Sequence, residues 1–579
     1  MDLRFMVAEA TPAEREVVEG TVAAGETVEV PGRVVRGGHE ARSLRHLLLP
    51  ALAALQSEIG WVSPGGLNEV CRRLVVPPAE AFGVASFYAL LSTEERPPIV
   101  VHVCDDVACR QSGGSDLLSD LGDRADAVTT PCLGLCDRRP AAFVQRAGRD
   151  DLTIAPATVD DVISALDGAE VQGHSTFVQP MKLLARIGEV DPASLDRYRA
   201  TGGYLALSRA FDLGPSVVID EIKKSGLKGR GGAAFPTGVK WEAVAREPAP
   251  RIVVCNADES EPGTFKDRVV MEGDPFALVE AMTIAAYAVG ASRGYLYVRG
   301  EYPGATSRMT AAIESARAAG LLGEGILGSD LAFEIEIRRG QGAYICGEET
   351  ALFNSIEGFR GEPRQKPPFP VEAGLFNRPT AINNVETLIN VNRIVLDGGL
   401  AFAAIGTADS SGTRLFCLSG DVGRPGVYEV EFGATLGDLI NLAGGPEGDL
   451  ASILLGGAAG TFVGAEHLDL PLTFEAARAA GVSLGSGVIM VFNSTRDMQD
   501  VVRRVARFFR DESCGQCVPC RVGTVRVEEA VARANGDIDI GLIDDLDRAM
   551  RDASICGLGH TAASVVRSAI TRGLLGAPR

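Results

Sequence analysis

The pattern of apolar positions divides the first third of the chain into short regions. Residues 1–40 keep neither a helical nor a strand period, which predicts a tail or a clasp. Between residues 44 and 91 apolar positions recur at helical spacing with two proline-containing breaks, which predicts a small helical cap. From Pro98 the pattern predicts strand, helix, strand, strand and helix, the order of a thioredoxin-like domain. Its last helix begins at Thr158 with a capping box, and residues 168–180 are predicted to be a linker.

The remaining two thirds of the chain changes pattern twice. Residues 181–405 alternate helices and strands and carry most glycine-rich loops, which predicts a Rossmann-like α/β domain. Short strands then surround a helix that begins at Thr435, which is typical of a β-grasp, ubiquitin-like module. The final segment is helical except for its cysteine loops. The predicted fold class is therefore α/β multidomain, with a tail (1–40), a helical cap plus thioredoxin-like domain (41–170), the α/β domain (181–405), the β-grasp domain (413–493) and a helical bundle (497–579).

Composition narrows the choice of partners and compartment. The chain has 579 residues, too many for one core, and 76 acidic against 56 basic residues for a net charge of −20. This charge argues against a nucleic-acid surface, so any anionic ligand needs a local basic patch. No stretch reaches the ~18 apolar residues of a membrane span, and any membrane link would go through a partner. The first residues carry no signal-peptide pattern, which predicts a reducing cytoplasm.

Three closely spaced cysteines near the carboxyl end indicate a metal cluster. Cys514, Cys517 and Cys520 are each separated by two residues, and Cys556 follows at a distance. One tight loop can present three sulfurs to a [4Fe-4S] cubane while the distant cysteine completes the set. A zinc knuckle is the alternative, but zinc sites usually take two separated Cys-x-x-Cys pairs. The spacing therefore favours an electron-transfer cluster.

A second group of four cysteines follows the apolar run of residues 99–103. Cys104 and Cys109 enclose four residues, and Cys132 and Cys136 enclose three. Two thiol-bearing loops at strand ends predict a [2Fe-2S] site. Disulfides are the alternative, but they need an oxidising compartment. The other four cysteines, Cys71, Cys255, Cys346 and Cys417, are predicted to be small buried hydrophobic residues.

Residues 225–241 form the most basic glycine-rich loop. They hold five glycines together with Lys228, Arg230 and Lys240. Glycines let backbone amides approach a phosphate and the three cations offset the negative charge elsewhere, so the loop predicts a phosphate or flavin cradle. The string from Gly229 to Ala234 matches a relaxed dinucleotide fingerprint but follows a helical run instead of a strand. An ordinary Rossmann βαβ unit is therefore not expected at this loop.

Polar side chains follow the predicted strand at residues 252–254. Asn256, Asp258, Glu259 and Glu261 come at its carboxyl end, where ligands bind in α/β sheets. Carboxylates repel phosphates, so we expect them to accept hydrogen bonds from ribityl or ribose hydroxyls and flavin nitrogens. A solvated turn is the alternative.

Two further loops, at residues 338–350 and 364–370, add glycines, Lys366 and Phe369. Phe235 and Phe369 are candidates to flank a planar ring, although either residue alone is more often part of a core.

Four strings in this region carry a resemblance to a known family. They are Gly-Arg-Gly-Gly-Ala-x-Phe-Pro-Thr-Gly-x-Lys-Trp, Asn-Ala-Asp-Glu-Ser-Glu-Pro-Gly, Gly-Ala-Tyr-Ile-Cys-Gly-Glu-Glu-Thr and Glu-Ser-Cys-Gly-x-Cys-x-Pro-Cys-Arg. Residues 181–579 resemble the NADH-binding flavoprotein subunit of respiratory complex I and its diaphorase relatives. Residues 41–170 resemble the thioredoxin-like [2Fe-2S] subunit of the same module. The likeness spans nearly the whole chain and includes the ubiquitin-like domain.

The resemblance implies the cofactors FMN, NAD(H), [2Fe-2S] and [4Fe-4S], with Glu261 and Phe235 as candidate catalytic residues. Ala234 stands where the family more commonly has glycine, and its methyl group fits unless the residue adopts a positive φ. The implied ligands of FMN are Gly229, Arg230, Gly231, Lys240, Asn256, Asp258, Ser260, Tyr297, Gly300, Asn383 and Asn384. NADH is implied to lie near Phe235, Glu261, Glu301, Lys366 and Phe369. The implied cluster ligands are Cys104, Cys109, Cys132 and Cys136 for [2Fe-2S], and Cys514, Cys517, Cys520 and Cys556 for [4Fe-4S].

The resemblance also implies an NAD(H)-dependent oxidoreductase that works in a hetero-oligomer. The flavin carries the hydride chemistry, which agrees with the absence of histidine from the glycine-rich loops. Fusion of the two modules is similar to the β subunit of NAD-dependent molybdenum or tungsten formate dehydrogenase, whose partner is a molybdopterin-bearing α subunit. A NAD-reducing nickel-iron hydrogenase or a complex I-type dehydrogenase is the alternative, and a non-catalytic iron-sulfur scaffold is a further one. All four amino-terminal cysteines are present, which favours formate dehydrogenase over hydrogenase.

Overall fold

The computed structural model describes residues 7–28, 40–169, 174–533 and 538–575. Three sheets organise these residues, in strand orders β2-β1-β3-β4, β8-β7-β6-β9 and β13-β12-β14-β10-β11-β5. They belong to a thioredoxin-like domain, a parallel α/β domain and a β-grasp domain, and a helical region follows. The predicted fold class is confirmed.

The amino-terminal region is helical from residue 12 onward. Thr11 and Glu14 form a capping box and Pro12 occupies the first turn, so helix α1 begins there and packs on α2 and α3. Residues 12–23 are thus a helix and not a tail, because local capping starts a helix that the weak apolar period did not reveal. The rest of that prediction, at residues 1–6 and 29–39, lies outside the described residues. The elements are α1 (Pro12–Ala23), a 3₁₀ helix (Glu40–Leu47), α2 (Leu48–Ile59), α3 (Pro64–Leu74) and α4 (Pro78–Ala85).

The thioredoxin-like sheet has one strand more than the pattern predicted. Strand β1 is parallel to β2 and antiparallel to β3, and the short β4 adds an edge. Thr158 caps the last helix as predicted, with its side chain accepting from the backbone N–H of Asp161. The elements are β1 (Ile99–Cys104), α5 (Val107–Arg110), α6 (Gly114–Leu121), a 3₁₀ helix (Gly122–Arg124), β2 (Ala127–Thr130), β3 (Ala142–Arg146), β4 (Leu152–Ile154) and α7 (Val159–Leu166).

The α/β domain is built on four parallel strands, with β6 paired to both β7 and β9. Almost every residue of α13 is buried, because helices and the sheet cover it on all sides. The helices are α8 (Leu195–Ala200), α9 (Leu205–Leu213), α10 (Pro215–Lys224), α11 (Thr237–Arg246), α12 (Lys266–Gly273), α13 (Pro275–Val289), α14 (Pro303–Ala318), α15 (Glu349–Ile356), α16 (Pro370–Ala373), α17 (Val385–Asp397) and α18 (Gly399–Ala403). The strands are β6 (Arg251–Ala257), β7 (Ala291–Val298), β8 (Glu334–Arg339) and β9 (Thr380–Asn384), and 3₁₀ helices cover Ile326–Gly328, Tyr344–Gly347 and Leu375–Asn377.

The β-grasp sheet takes its edge strand from the region predicted as a linker. Strand β5 pairs in parallel with β11, so the end of residues 168–180 is a strand, while residues 170–173 lie outside the described part. Two residues are too short to show a period, which is why the pattern missed them. The elements are β5 (Val178–Gln179), β10 (Thr413–Gly420), β11 (Gly426–Glu431), α19 (Leu436–Leu442), β12 (Leu450–Leu455), β13 (Thr461–Val463), a 3₁₀ helix (Ala465–His467), α20 (Phe474–Ala479) and β14 (Val488–Asn493).

The carboxyl-terminal region is a helical bundle. Helix α21 buries its apolar face and packs against α22 and α25. No disulfide joins any of the twelve cysteines, all of which lie in the described ranges. Among the described residues, no helix is long and apolar enough to cross a membrane. The helices are α21 (Met498–Asp511), α22 (Val518–Arg533), α23 (Ile540–Ala553), α24 (Gly557–Thr561) and α25 (Ser564–Thr571).

Candidate functional site

A cavity of about 420 Å³ lies at the carboxyl ends of β6 and β9. Its volume is in the usual range of about 300–1,000 Å³ for small-molecule sites, and this edge of a parallel sheet is where ligands bind. The α/β domain contributes Gly231, Gly232, Ala233, Asn256, Asp258, Glu259, Ser260, Glu261, Thr264, Lys266, Asp267, Tyr344, Ile345, Gly347, Glu348 and Asn384. The β-grasp domain contributes Ala459, Ser483, Gly485 and Ser486, and the cysteine-bearing helices contribute Gly557, Leu558 and Thr561.

Six residues predicted to hold a cofactor line this cavity. At the end of β6, the Asn256 Nδ2 donates to the Gly347 carbonyl at 2.9 Å, and the Asn256 Oδ1 accepts from the Asp258 backbone N–H at 3.1 Å. The Asp258 Oδ2 is buried and has no partner among the described residues. Burial raises the pKa of Asp258 well above its ordinary value. A buried free acceptor in the wall fits a ligand rich in hydroxyl groups, as a ribityl chain is. The six are Gly231, Asn256, Asp258, Ser260, Glu261 and Asn384.

Glu261 is held by the neighbouring β-grasp domain. Its Oε1 accepts from the Ala459 backbone N–H at 3.0 Å, and its Oε2 accepts from the Ser486 hydroxyl. Burial raises the pKa of Glu261, while these two hydrogen bonds act in the opposite direction. The side chain is therefore fixed in the wall by a contact between domains. No signal in the sequence pattern near residues 459 or 486 indicated this contact.

A buried charge network lies beside the glycine-rich loop, and sequence reasoning missed it. The Lys266 Nζ is 2.7 Å from Asp267 Oδ1, 3.1 Å from Glu386 Oε2 and 3.2 Å from Asn384 Oδ1. Burial lowers the pKa of Lys266, but its carboxylate neighbours outweigh burial and raise it, so the ammonium stays charged. The Asn384 Nδ2 donates to Asp267 at 2.5 Å. Lys266 is therefore a charged residue in the cavity wall whose charge Asp267 and Glu386 offset. The only sequence signal for it was its place in the polar string after Glu261.

None of the three cations predicted for phosphate binding lines the cavity. The Lys228 Nζ donates to the Asp409 carbonyl at 2.6 Å. The Arg230 guanidinium is 1% exposed, donates to the Ser411 carbonyl at 2.8 Å and lies over the ring of Phe432. These charges connect the glycine-rich loop to residues 409–413 and to the β-grasp domain. Neither side chain lines the cavity, because long side chains from a surface loop reach a neighbouring domain as readily as a pocket.

Gly231, Gly232 and Ala233 of the glycine-rich loop line the cavity, whereas Lys240 does not. The Lys240 Nζ donates to the Ile382 carbonyl at 2.8 Å, and burial lowers its pKa. Asn383 is buried and accepts from the Trp241 indole at 2.8 Å. Gly229 donates its N–H to the Phe235 carbonyl, and Ala234 has a φ of 53°. The backbone of Ala234 therefore adopts the left-handed conformation, which is the condition under which an alanine in place of glycine strains the loop.

Two exposed aromatic rings precede helices that pack together. Phe235 is 51% exposed and Phe369 is 52% exposed, and the helices that follow them, α11 and α16, pack together. The Lys240 Nζ is 5.9 Å from the Phe235 ring centroid. The Lys366 Nζ is 3.0 Å from Glu348, which lines the cavity. Core packing does not account for these rings, which fits a planar ligand.

Three further predicted residues lie behind the wall. The buried Tyr297 hydroxyl contacts the Ser355 hydroxyl at 2.9 Å. A side chain at Gly300 would meet the Gly340 carbonyl at 2.5 Å, so only glycine fits there. Glu301 is buried and paired with Arg299 at 3.0 Å; burial raises its pKa, but Arg299 outweighs burial and lowers it. None of these three residues lines the cavity in this structure.

The four amino-terminal cysteines, predicted to be cluster ligands, lie close together. Cys104 ends β1, Cys109 lies in α5, and Cys132 and Cys136 lie between β2 and β3 with their sulfurs 3.3 Å apart. All four are buried. Contacts among these thiols raise the pKa of Cys104 and Cys136 and lower that of Cys132. A buried set of four sulfurs in mutual contact fits a [2Fe-2S] group.

The four carboxyl-terminal cysteines are also neighbours. Cys514 and Cys517 precede α22, with Cys517 directly before its first residue, and Cys520 lies in its first turn. Cys556 directly precedes α24. Burial raises the pKa of Cys520 to about 12, and the charges of the other three thiols act in the same direction. The arrangement fits a [4Fe-4S] group. Gly557 and Leu558, next to Cys556, also line the large cavity.

Comparison with known proteins identifies the parts of the chain. The Nuo51 FMN-binding domain matches residues 222–393, and the NADH-ubiquinone oxidoreductase-F iron-sulfur binding region matches residues 500–572. The thioredoxin-like [2Fe-2S] ferredoxin matches residues 38–167, and the SLBB domain matches residues 415–457. The F subunit of the NADH-quinone oxidoreductase of Aquifex aeolicus is 43% identical over 396 residues, covering 67% of this chain and 92% of that protein. The chain belongs to the family of NADH-quinone oxidoreductase F subunits.

Two other relatives match almost the whole chain. The alpha subunit of the NAD-reducing hydrogenase HoxS of Cupriavidus necator is 35% identical over 564 residues, covering 92% of this chain and 91% of that protein. A chain in the crystal structure of NAD⁺-reducing [NiFe]-hydrogenase in the H₂-reduced state has a TM-score of 0.80 and 34% identity, with 92% of both chains covered. The chain is thus an NAD(H)-dependent oxidoreductase subunit with FMN, [2Fe-2S] and [4Fe-4S] domains fused.

Proposed function

We propose that this chain is the NAD(H)-reacting subunit of a hetero-oligomeric cytoplasmic enzyme, in which electrons pass between NAD(H) and a partner subunit. The observation that carries the proposal is that one cavity is lined by Asp258 of the FMN-binding domain and by Gly557 and Leu558 beside Cys556. A cofactor in that cavity would contact the domain that holds the [4Fe-4S] group. FMN, when bound, exchanges a hydride with NAD(H) and single electrons with iron-sulfur clusters.

The chain's own residues bind and orient the two nucleotides in this proposal. Asn256, Asp258, Ser260 and Asn384 supply polar contacts to FMN at the edge of the sheet. Lys266 supplies the buried positive charge beside them. No histidine is among the residues that line the cavity, in agreement with a hydride step that needs no protein acid or base.

The nicotinamide nucleotide is proposed to enter at the exposed rim. The half-exposed rings of Phe235 and Phe369 offer faces for a planar ring to stack on. Glu261, fixed by the β-grasp domain, lies in the wall of the cavity. We propose that it contacts the reacting ring or its ribose.

For the partner we propose a molybdopterin-bearing α subunit, which makes the complex an NAD-dependent formate dehydrogenase. This proposal is supported by the complete set of four amino-terminal cysteines, all of which are buried. The resemblance to the β subunit of formate dehydrogenase implies such a complete set. A nickel-iron hydrogenase partner is the second candidate. It is supported by the match over 92% of the chain to the alpha subunit of a NAD-reducing hydrogenase.

Purification of the chain with its native partner separates these candidates. We expect the isolated chain to contain FMN and reduce ferricyanide with NADH, without reducing NAD⁺ from formate. The complex should contain molybdenum or tungsten and reduce NAD⁺ with formate. Nickel in the complex and NAD⁺ reduction by hydrogen would refute the formate assignment and leave the NAD(H) proposal standing. Isolated, iron-loaded chain that binds no FMN would refute both.

A further inference from the structure

Three buried arginines hold the two cysteine loops of the [2Fe-2S] domain from outside that domain. The Arg299 Nη2 donates to the Cys132 carbonyl at 2.6 Å, and the Arg268 Nε donates to the Gly134 carbonyl at 3.2 Å. From the opposite end of the chain, the Arg504 Nε of helix α21 donates to the Asp105 carbonyl at 2.6 Å. All three are at most 7% exposed. Their charges therefore act on the cysteine loops with little screening by solvent.

Arg504 differs from the other two in having a free donor. Its Nη2 lies 3.1 Å from the Asp106 carboxylate, but its Nη1 is buried and has no partner among the described residues. Burial lowers the pKa of Arg504, while Asp106 and Cys104 outweigh burial and raise it. A buried N–H without an acceptor destabilises the fold, so native proteins rarely leave one. Cys104 is near enough for its charge to act on Arg504, so a sulfur of the proposed [2Fe-2S] group is a candidate acceptor.

We propose that Arg504, a residue of the [4Fe-4S] domain, donates its free Nη1 N–H to a sulfur of the [2Fe-2S] group and thereby raises the reduction potential of that group. The inference rests on the proposed set of four cysteine ligands and is independent of which partner subunit the chain has. Arg504 acts on the cluster through its charge and its hydrogen bond, and it carries no electron itself.

The direction of the effect follows from charge. Reduction adds one electron to the cluster and makes it more negative, so a nearby guanidinium stabilises the reduced form more than the oxidised form. Hydrogen bonds to the sulfurs act in the same direction. Removing the charge should lower the ratio of reduced to oxidised cluster on the order of tenfold at a fixed potential. For a one-electron couple that ratio corresponds to about 59 mV.

The test is a redox titration of the full chain with both clusters loaded, followed by EPR spectroscopy. We expect Arg504→Gln to lower the midpoint potential of the [2Fe-2S] signal, with a smaller change in the [4Fe-4S] signal of the same sample. Arg504→Lys, which keeps the charge, should recover at least half of the shift. Asp106→Asn removes the opposing carboxylate and should move the midpoint upward, and it tests the proposal even if the glutamine variant loses its cluster.

A matched control is available where the α/β domain contacts the [2Fe-2S] domain. Arg339 pairs at 2.8 Å with Asp151, which lies in the turn between β3 and β4 and not in a cysteine loop. Arg339→Gln should leave the [2Fe-2S] midpoint unchanged. Unchanged midpoints in Arg504→Gln and Asp106→Asn, or equal shifts in the glutamine and lysine variants, would overturn the proposal. Absence of a [2Fe-2S] signal in the unmodified, iron-loaded chain would instead refute the proposed ligand set.

Discussion

Asp258→Asn should weaken FMN binding strongly and leave the fold intact. The Asp258 Oδ2 is a buried acceptor without a partner among the described residues, in the wall of the cavity at the carboxyl end of β6. Asparagine has the same shape but places an amide donor where one carboxylate oxygen accepts. Leaving a buried hydroxyl of the ligand without its acceptor costs about 1–3 kcal/mol, and each 1.4 kcal/mol is tenfold in affinity. We therefore expect the dissociation constant of FMN to rise roughly 10- to 100-fold.

The flavin-free protein should respond in the opposite direction. Because burial raises the pKa of Asp258 above its value in the unfolded chain, this residue favours folding less as the pH rises past the unfolded value. Asparagine cannot ionise, so the flavin-free variant should be at least as stable as the original protein at pH 8. The combination of weaker binding and undiminished stability separates loss of a ligand contact from general unfolding.

The assay is a titration of deflavinated protein with FMN, followed by quenching of flavin fluorescence. Thermal unfolding of the same samples at pH 6 and pH 8 gives the stability. Asp438→Asn is the matched control, since Asp438 is exposed in the capping box of α19 and distant from the cavity. An FMN affinity within twofold of the original protein in Asp258→Asn would refute the contact.

Three further predictions concern the loop, the pH response and the clusters. Ala234→Gly removes a left-handed alanine and should raise the free energy of unfolding in urea by up to about 1 kcal/mol, whereas the same change at Ala233, whose φ is not positive, should lower it. Burial lowers the pKa of His46 to about 4, so about 3 kcal/mol of folding stability is lost as the pH falls from 6.5 to 4. The melting temperature should therefore fall less between pH 7 and pH 5 in His46→Gln than in the original protein. An equal fall in both proteins would contradict the role of His46. In the dithionite-reduced protein, Cys517→Ser should remove or convert only the [4Fe-4S] EPR signal and Cys132→Ser only the [2Fe-2S] signal; loss of both signals in either variant would contradict the assignment.

Features encoded within a few residues were predictable from the sequence. The capping boxes at Thr158 and Thr435 set the first turns of α7 and α19, because both partners of each box lie within one turn. The cysteine spacings indicated two clusters, and the polar string after β6 indicated the sheet edge where the cavity lies. Two elements escaped: strand β5 has only two residues, and the apolar period of helix α1 is weak although its capping box lies within one turn.

Only the tertiary structure decided which residues the long side chains contact. The basic residues of the glycine-rich loop suggested a phosphate site, yet Lys228 and Arg230 reach residues 409–413. Lys266 provides the buried charge at the cavity in their place. Composition indicates that a loop is basic, but a flexible side chain of several ångströms reaches whichever acceptor the neighbouring domain presents.

The chain by itself determined the order of its domains, the two cysteine sets and the strand end that carries the polar loop, because each depends on residues adjacent in sequence. The tertiary structure alone decided that Glu261 is held by Ala459 and Ser486, and that Arg504 reaches the cysteine loop near Cys104. These contacts join residues separated by about 200 to 400 positions. They depend on how whole domains pack, and no local period or spacing records that packing.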